Sequence, residues 1–116
     1  MKMEYMLDTD TISFALKGEG RISEKIVSFK PSQLCISSIT LAELRFGAEK
    51  RDSKKLKKLI DDLVAEITVL SFDFEAAMEF GSLSAKLQRK GTPIGSFDTL
   101  LASHAKSKNL IFVTNN

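Results

Sequence analysis

The chain has 116 residues, 43% hydrophobic and 28% charged, a composition that excludes a disordered or fibrous protein and a length that suits one domain with a single core. Its formal net charge of +2 is too small to imply nucleic-acid binding by itself. No stretch approaches the ~20 consecutive apolar residues of a membrane span, and the acids Glu4 and Asp8 come too early for a signal peptide, so a cytoplasmic location is expected.

Residues 4 to 8 read as a buried strand that ends in the acidic, hydroxyl-rich turn Asp8-Thr9-Asp10-Thr11. In an α/β protein, ligands collect beyond the carboxyl ends of the strands, which makes Asp8 the first candidate site residue. Thr11 to Lys17 takes a helical pattern closed by Gly18, and Ile22, Ile26 and Phe29 mark one face of a second short helix stopped by Pro31. Leu34-Cys35-Ile36-Ser37 is the next strand. Its lone Cys35 cannot form an internal disulfide and fits a small core residue.

From Ser38 the pattern is helical again, with Leu41, Leu44 and Ala48 on one face and Glu43 near the start. Ser53 caps a stronger helix whose Leu56, Leu59, Ile60, Leu63 and Val64 keep the i, i+3, i+4, i+7 spacing, with Lys57–Asp61 and Lys58–Asp62 pairs expected on its outer side. Lys50, Arg51, Lys54, Lys55, Lys57 and Lys58 form a basic run, which suits either a solvated helix face or a phosphate track.

Ile67 to Leu70 is the third strand. Asp73 is the N-cap of a helix over 74–90, ended by Gly91 and Pro93. Ser96 caps a further helix to about Ser107, with Asp98 in its first turn and His104 in a half-buried packing position. Leu110 to Val113 is the fourth strand. Strands alternating with helices predict an α/β fold with a parallel sheet of about four strands covered on both faces. The chain is expected to be one domain over 1–116, and its stop just after a strand predicts a further C-terminal segment.

Asp8, Glu43 and Asp98 each lie near a helix start, and carboxylates that converge there form a site for a hard cation such as Mg²⁺ or Mn²⁺. Each also has a purely local role open to it: Asp8 as a turn former or cap, Glu43 in a Thr40–Glu43 capping box, Asp98 as a first-turn acid favoured by the helix dipole.

Asp8-Thr9-Asp10-Thr11 partly resembles the nucleophile motif of haloacid-dehalogenase phosphatases. Ile12 stands where that motif has Thr or Val, and a late acidic pair is missing. The set Met6-Leu7-Asp8-Thr9, then Ile36 to Gly47 (ISSITLAELRFG), then Pro93 to Ala102 (PIGSFDTLLA), then Val113-Thr114-Asn115-Asn116 closely resembles PIN-domain ribonucleases, in particular the VapC toxins of toxin–antitoxin pairs. The match runs in order over nearly the whole chain.

That resemblance implies a three-layer PIN-like fold and a metal-dependent endoribonuclease toxin that hydrolyses cellular RNA and is silenced by a VapB-type antitoxin. It implies Asp8, Glu43 and Asp98 as ligands of Mg²⁺ or Mn²⁺. Asn116 falls where many members carry a fourth acid, and Asp10 stands where Asn is common. Arg45, Lys50, Lys54 and Lys55 are expected along the RNA backbone, and a homodimer is expected from the apolar Met3, Phe46 and Phe80. Two alternatives remain: a dehalogenase-type phosphohydrolase with Asp8 as nucleophile, and a non-catalytic RNA-binding relative.

Overall fold

A computed structural model of the chain describes residues 2–17, 29–92 and 95–114. Four short strands, β1 (Tyr5–Leu7), β2 (Leu34–Ser37), β3 (Thr68–Leu70) and β4 (Ile111–Val113), pair in the order β3-β2-β1-β4, and all are parallel. Five α-helices and a 3-10 turn (Pro31–Gln33) connect them among the described residues, the α-helices being α1 (Thr9–Leu16), α2 (Ser38–Lys50), α3 (Lys54–Glu66), α4 (Phe74–Arg89) and α5 (Ser96–Ser107). The short helix expected around Ile22 and Ile26, the Gly18 cap, Pro93 and Asn116 lie outside the described residues.

The strands' two-residue period divides the core between two faces. Leu7, Leu34 and Ile36 pack on one side with Ile12 of α1, Leu44 and Ala48 of α2 and Ile60 of α3. Met6 and Cys35 face the other side with Ala105 of α5, joined by the partly buried Met3, Leu70 and Phe112. The sheet is thus covered on both faces, as expected. Cys35 is fully buried, and burial pushes its thiol up to about 11, which confirms a core role rather than a nucleophile.

Most helix ends follow their sequence signals. Ser53 accepts from the Leu56 N–H at 3.0 Å and Asp73 from the Ala76 N–H at 3.0 Å, while Gly91 takes the left-handed φ of 71° just beyond α4. Two starts differ. Ser96 is the first residue inside α5, and its N-cap is Gly95, which lends no side-chain bond. Ser37 caps α2, accepting from the Ile39 N–H at 3.0 Å, so Glu43 sits too deep in the helix for a capping box with Thr40.

The α2–α3 turn rearranges the expected surface pairs. Asp52 adopts a left-handed φ of 47°, folding α3 back against α2. Lys57 therefore meets Glu49 at 3.4 Å and Asp52 at 3.6 Å instead of Asp61, which pairs with Arg45 at 3.3 Å; only Lys58–Asp62 keeps its i, i+4 partner, at 3.2 Å. His104 is fully buried, not half-buried, because the last turn of α5 lies against the carboxyl end of β2.

Candidate active site at the carboxyl edge of the sheet

The chain passes from β1 to β2 to β3 on one side of the sheet and then returns to place β4 on the other side of β1. In open α/β sheets this reversal opens a crevice beyond the strand ends, here between β1 and β4. Asp8 is the first residue after β1, and its backbone N–H donates to the Val113 carbonyl of β4 at 3.0 Å. Strand order, not local sequence, puts it at the crevice.

Asp8 is 3% exposed and caps α1, its Oδ1 accepting from the Thr11 N–H at 2.8 Å. The local role weighed for it is real, and it occupies one of the two carboxylate oxygens. Next along, the Thr9 hydroxyl donates to Glu43 Oε1 at 2.5 Å and lies 3.4 Å from the buried Thr40 hydroxyl. That bond holds the half-buried Glu43 of α2 beside the exit of β1. Asp98 occupies the first turn of α5 and is exposed; a Cβ at Gly95 would stand 3.8 Å from its Oδ2.

Sequence reasoning expected three convergent carboxylates. Asp8 and Glu43 are brought together through Thr9, but among the described residues no three acidic, His or Cys side chains are gathered closely enough to hold a metal ion. Glu43 spends one oxygen on Thr9, and Asp98 is exposed in the first turn of α5. The donor chemistry still suits a hard divalent cation, being all oxygen. Among the described residues, moreover, none of the three carboxylates has a Lys or Arg partner. Carboxylates left unneutralised at a strand edge attract a cation.

A groove leads away from Thr9 and Glu43 between α1 and the α2–α3 pair, floored by Leu16, Leu44 and Leu56 and edged by Lys17 and Arg51. It continues past Ser53, Lys55 and Leu59. Of the expected RNA contacts only Lys55 lines it. Arg45 is engaged with Asp61, and Lys50 and Lys54 are exposed elsewhere on the helix ends. Lys17 was not singled out from the sequence, whereas Arg51 belongs to the basic run expected there. Thr40 and Ser37 were also missed as parts of the site's frame, because a hydroxyl carries no local signal of its distant partner.

The exposed apolar side chains differ as well. Met3 packs into the core and Phe80 is half-buried, whereas Phe46 is 67% exposed and Phe74 and Met78 of α4 are 77% and 63% exposed.

The sequence matches the PIN domain family over residues 5–116. It is 39% identical over 115 residues to the tRNA(fMet)-specific endonuclease VapC of Salmonella typhimurium, a match that spans 98% of this chain and 87% of that protein. Among solved structures, the DNA-bound VapBC of Salmonella typhimurium superposes with a TM-score of 0.86 at 39% identity, covering 98% of this chain and 87% of that one. VapBC2 of Rickettsia felis, bound to a DNA fragment from their promoter, superposes with a TM-score of 0.87 at 32% identity, covering 98% and 89%.

Proposed function

The chain belongs to the PIN domain family, and from that premise we propose that it is a VapC-type endoribonuclease toxin, dependent on a divalent metal and restrained by a VapB-type antitoxin. The observation that carries the site assignment is Asp8 at the strand-order reversal, with Glu43 delivered beside it by the Thr9 hydroxyl and neither acid neutralised by a basic partner among the described residues. Asp8, Glu43 and Asp98 would hold Mg²⁺ or Mn²⁺.

A bound divalent cation lowers the pKa of water and offsets the charge of the phosphodiester under attack. The chain's own residues supply the rest. Asp8 is fixed by its cap bond, which leaves its other oxygen for a cation at little entropic cost. Thr9 orients Glu43. Lys17, Arg51 and Lys55 offer a phosphate track along the groove, while its leucine floor suits an apolar antitoxin segment laid over the same path. RNA and antitoxin would thus compete for one groove. The name of the Salmonella relative makes initiator tRNA the first substrate to test.

The expected homodimer is supported by Phe74 and Met78, one turn apart on the outer face of α4. A Phe74→Ser, Met78→Ser double variant that sediments as the wild type does would remove that support.

The test of the activity is cleavage of tRNA by the purified chain with Mn²⁺, compared with Glu43→Gln and Asp98→Asn. Loss in both variants with tRNA binding retained supports the proposal. RNA binding without cleavage by the wild type selects the non-catalytic relative, and a phosphoenzyme at Asp8 selects the phosphohydrolase.

A further inference from the structure

His104 is the chain's single histidine and is fully buried on α5. Its Nδ1 lies 2.8 Å from the Ser37 hydroxyl, 67 residues away in the sequence. Ser37, also fully buried, is the last residue of β2 and the cap of α2, accepting from the Ile39 N–H. One hydroxyl therefore starts α2 and ties it to α5. We propose that the His104–Ser37 pair is a positioning device that fixes the helix carrying Glu43 relative to the helix carrying Asp98.

Leucine would fill the same helical position but would offer the Ser37 hydroxyl no partner. The ring's packing is otherwise specific: Phe72 meets it edge-on at a centroid distance of 5.4 Å, and the Phe72 N–H donates to the Ser38 hydroxyl at 3.0 Å. The exits of β2 and β3 are therefore joined at the point where α5 crosses them.

Ser37 Oγ accepts from the Ile39 N–H and keeps both its own hydrogen and a second lone pair for Nδ1, so the contact forms with either tautomer of the ring. Burial holds the imidazole below its ordinary pKa, Lys108 reinforces this, and Asp73 and a hydrogen bond to the Ser71 backbone oppose it. Asp73 and Lys108 are themselves paired at 2.5 Å, so their fields at the ring largely cancel.

The mechanical consequence is set by spacing. Glu43 lies six residues beyond Ser37, and Asp98 lies six residues before His104. Each carboxylate is thus carried about 9 Å along its helix axis from the pin. At that lever length a tilt of about 10° moves a carboxylate by roughly 1.5 Å, comparable with the ~2.1 Å metal–oxygen distance that Mg²⁺ requires. A loose pin spoils the ligand geometry without unfolding either helix.

The inference rests on the proposed metal-dependent nuclease, so its test reads metal binding apart from turnover. Mn²⁺ affinity is measured by electron paramagnetic resonance of the free ion on the purified full chain. Wild type, His104→Leu, His104→Asn, Ser37→Ala and the Ser37→Ala, His104→Leu double variant are compared, all well below their melting temperatures. The expected result for His104→Leu is a folded protein with Mn²⁺ affinity weakened about tenfold, and with kcat reduced while KM for RNA is unchanged. His104→Asn, whose amide reaches the Nδ1 position, recovers part of the loss. Adding Ser37→Ala to His104→Leu lowers Tm through the lost cap on Ile39 but weakens Mn²⁺ affinity little further, because toward the site the two act as one contact.

A folded His104→Leu with wild-type Mn²⁺ affinity and kcat overturns the inference and leaves the nuclease standing. If His104→Leu does not fold, Ser37→Ala decides by the same measurement, with unchanged affinity again overturning it. A wild type that neither binds Mn²⁺ nor cuts RNA overturns the nuclease reading, and the positioning role with it.

Discussion

Substituting Asp8 separates two duties that one carboxylate performs. Oδ1 caps α1 through the Thr11 N–H at 2.8 Å, and the side chain is 3% exposed beside the β1–β4 crevice. Asparagine caps nearly as well as aspartate, whereas alanine leaves that N–H without its partner at a cost of about 1 kcal/mol. For a domain of this size that cost lowers Tm by about 4 °C. Asp8→Asn should therefore melt within a degree or two of the wild type without metal, and Asp8→Ala should melt measurably lower. Both should abolish RNA cleavage. With Mn²⁺ at a hundred times its dissociation constant, linkage stabilises the wild type by ~2.7 kcal/mol, and both variants should lose most of that gain. Calorimetry with and without Mn²⁺, run beside a tRNA cleavage assay, gives all three readouts. An Asp8→Asn protein that keeps the full Mn²⁺-induced rise and still cuts RNA would mean that Asp8 is a helix cap alone.

Three further outcomes follow from particular contacts. Neutralising Lys17, Arg51 and Lys55 together should lower the slope of log affinity against log salt for RNA by about 2, on the basis of ~0.7 per phosphate contact, while Arg45→Gln, already engaged with Asp61, should leave it unchanged in filter binding across a salt series. The Lys108–Asp73 pair should show in the pH dependence of Tm. Lys108 holds the Asp73 carboxyl below its ordinary 3.8, so its stabilisation is present above that value and is lost as pH falls through the lower folded pKa; Lys108, held above 10.5 chiefly by Asp73, loses its part as pH rises past the folded pKa. Lys108→Met should flatten both limbs. Finally, Asn109 takes a left-handed φ of 57° just past α5, so Asn109→Ala should cost about 1 kcal/mol in urea denaturation and Asn109→Gly should not.

Much of the architecture is legible in the chain because its causes are local. Apolar runs of three or four residues between helical patterns specify strands, the period of two assigns Leu7 and Met6 to opposite faces, and Ser53, Asp73 and Gly91 mark helix ends by bonds or dihedrals within a few residues. Asp8, Glu43 and Asp98 are legible as candidates for the same reason, since each sits in a recognisable segment.

What they do together depends on contacts between segments far apart in sequence, which local pattern does not encode. The strand order β3-β2-β1-β4 puts the crevice at Asp8. The Thr9–Glu43 bond replaces a capping box that the spacing of Thr40 and Glu43 equally allows, because Ser37 starts the helix three residues earlier. Folding α3 onto α2 assigns Lys57 to Glu49 and Asp52 and leaves Lys55, with Arg51 and Lys17, along the groove. His104 reads as a packing residue until the crossing of α5 over β2 brings it to Ser37. A side chain's chemistry is written in its identity, but its partner is chosen by how helices cross and strands are ordered, and only the tertiary fold specifies that.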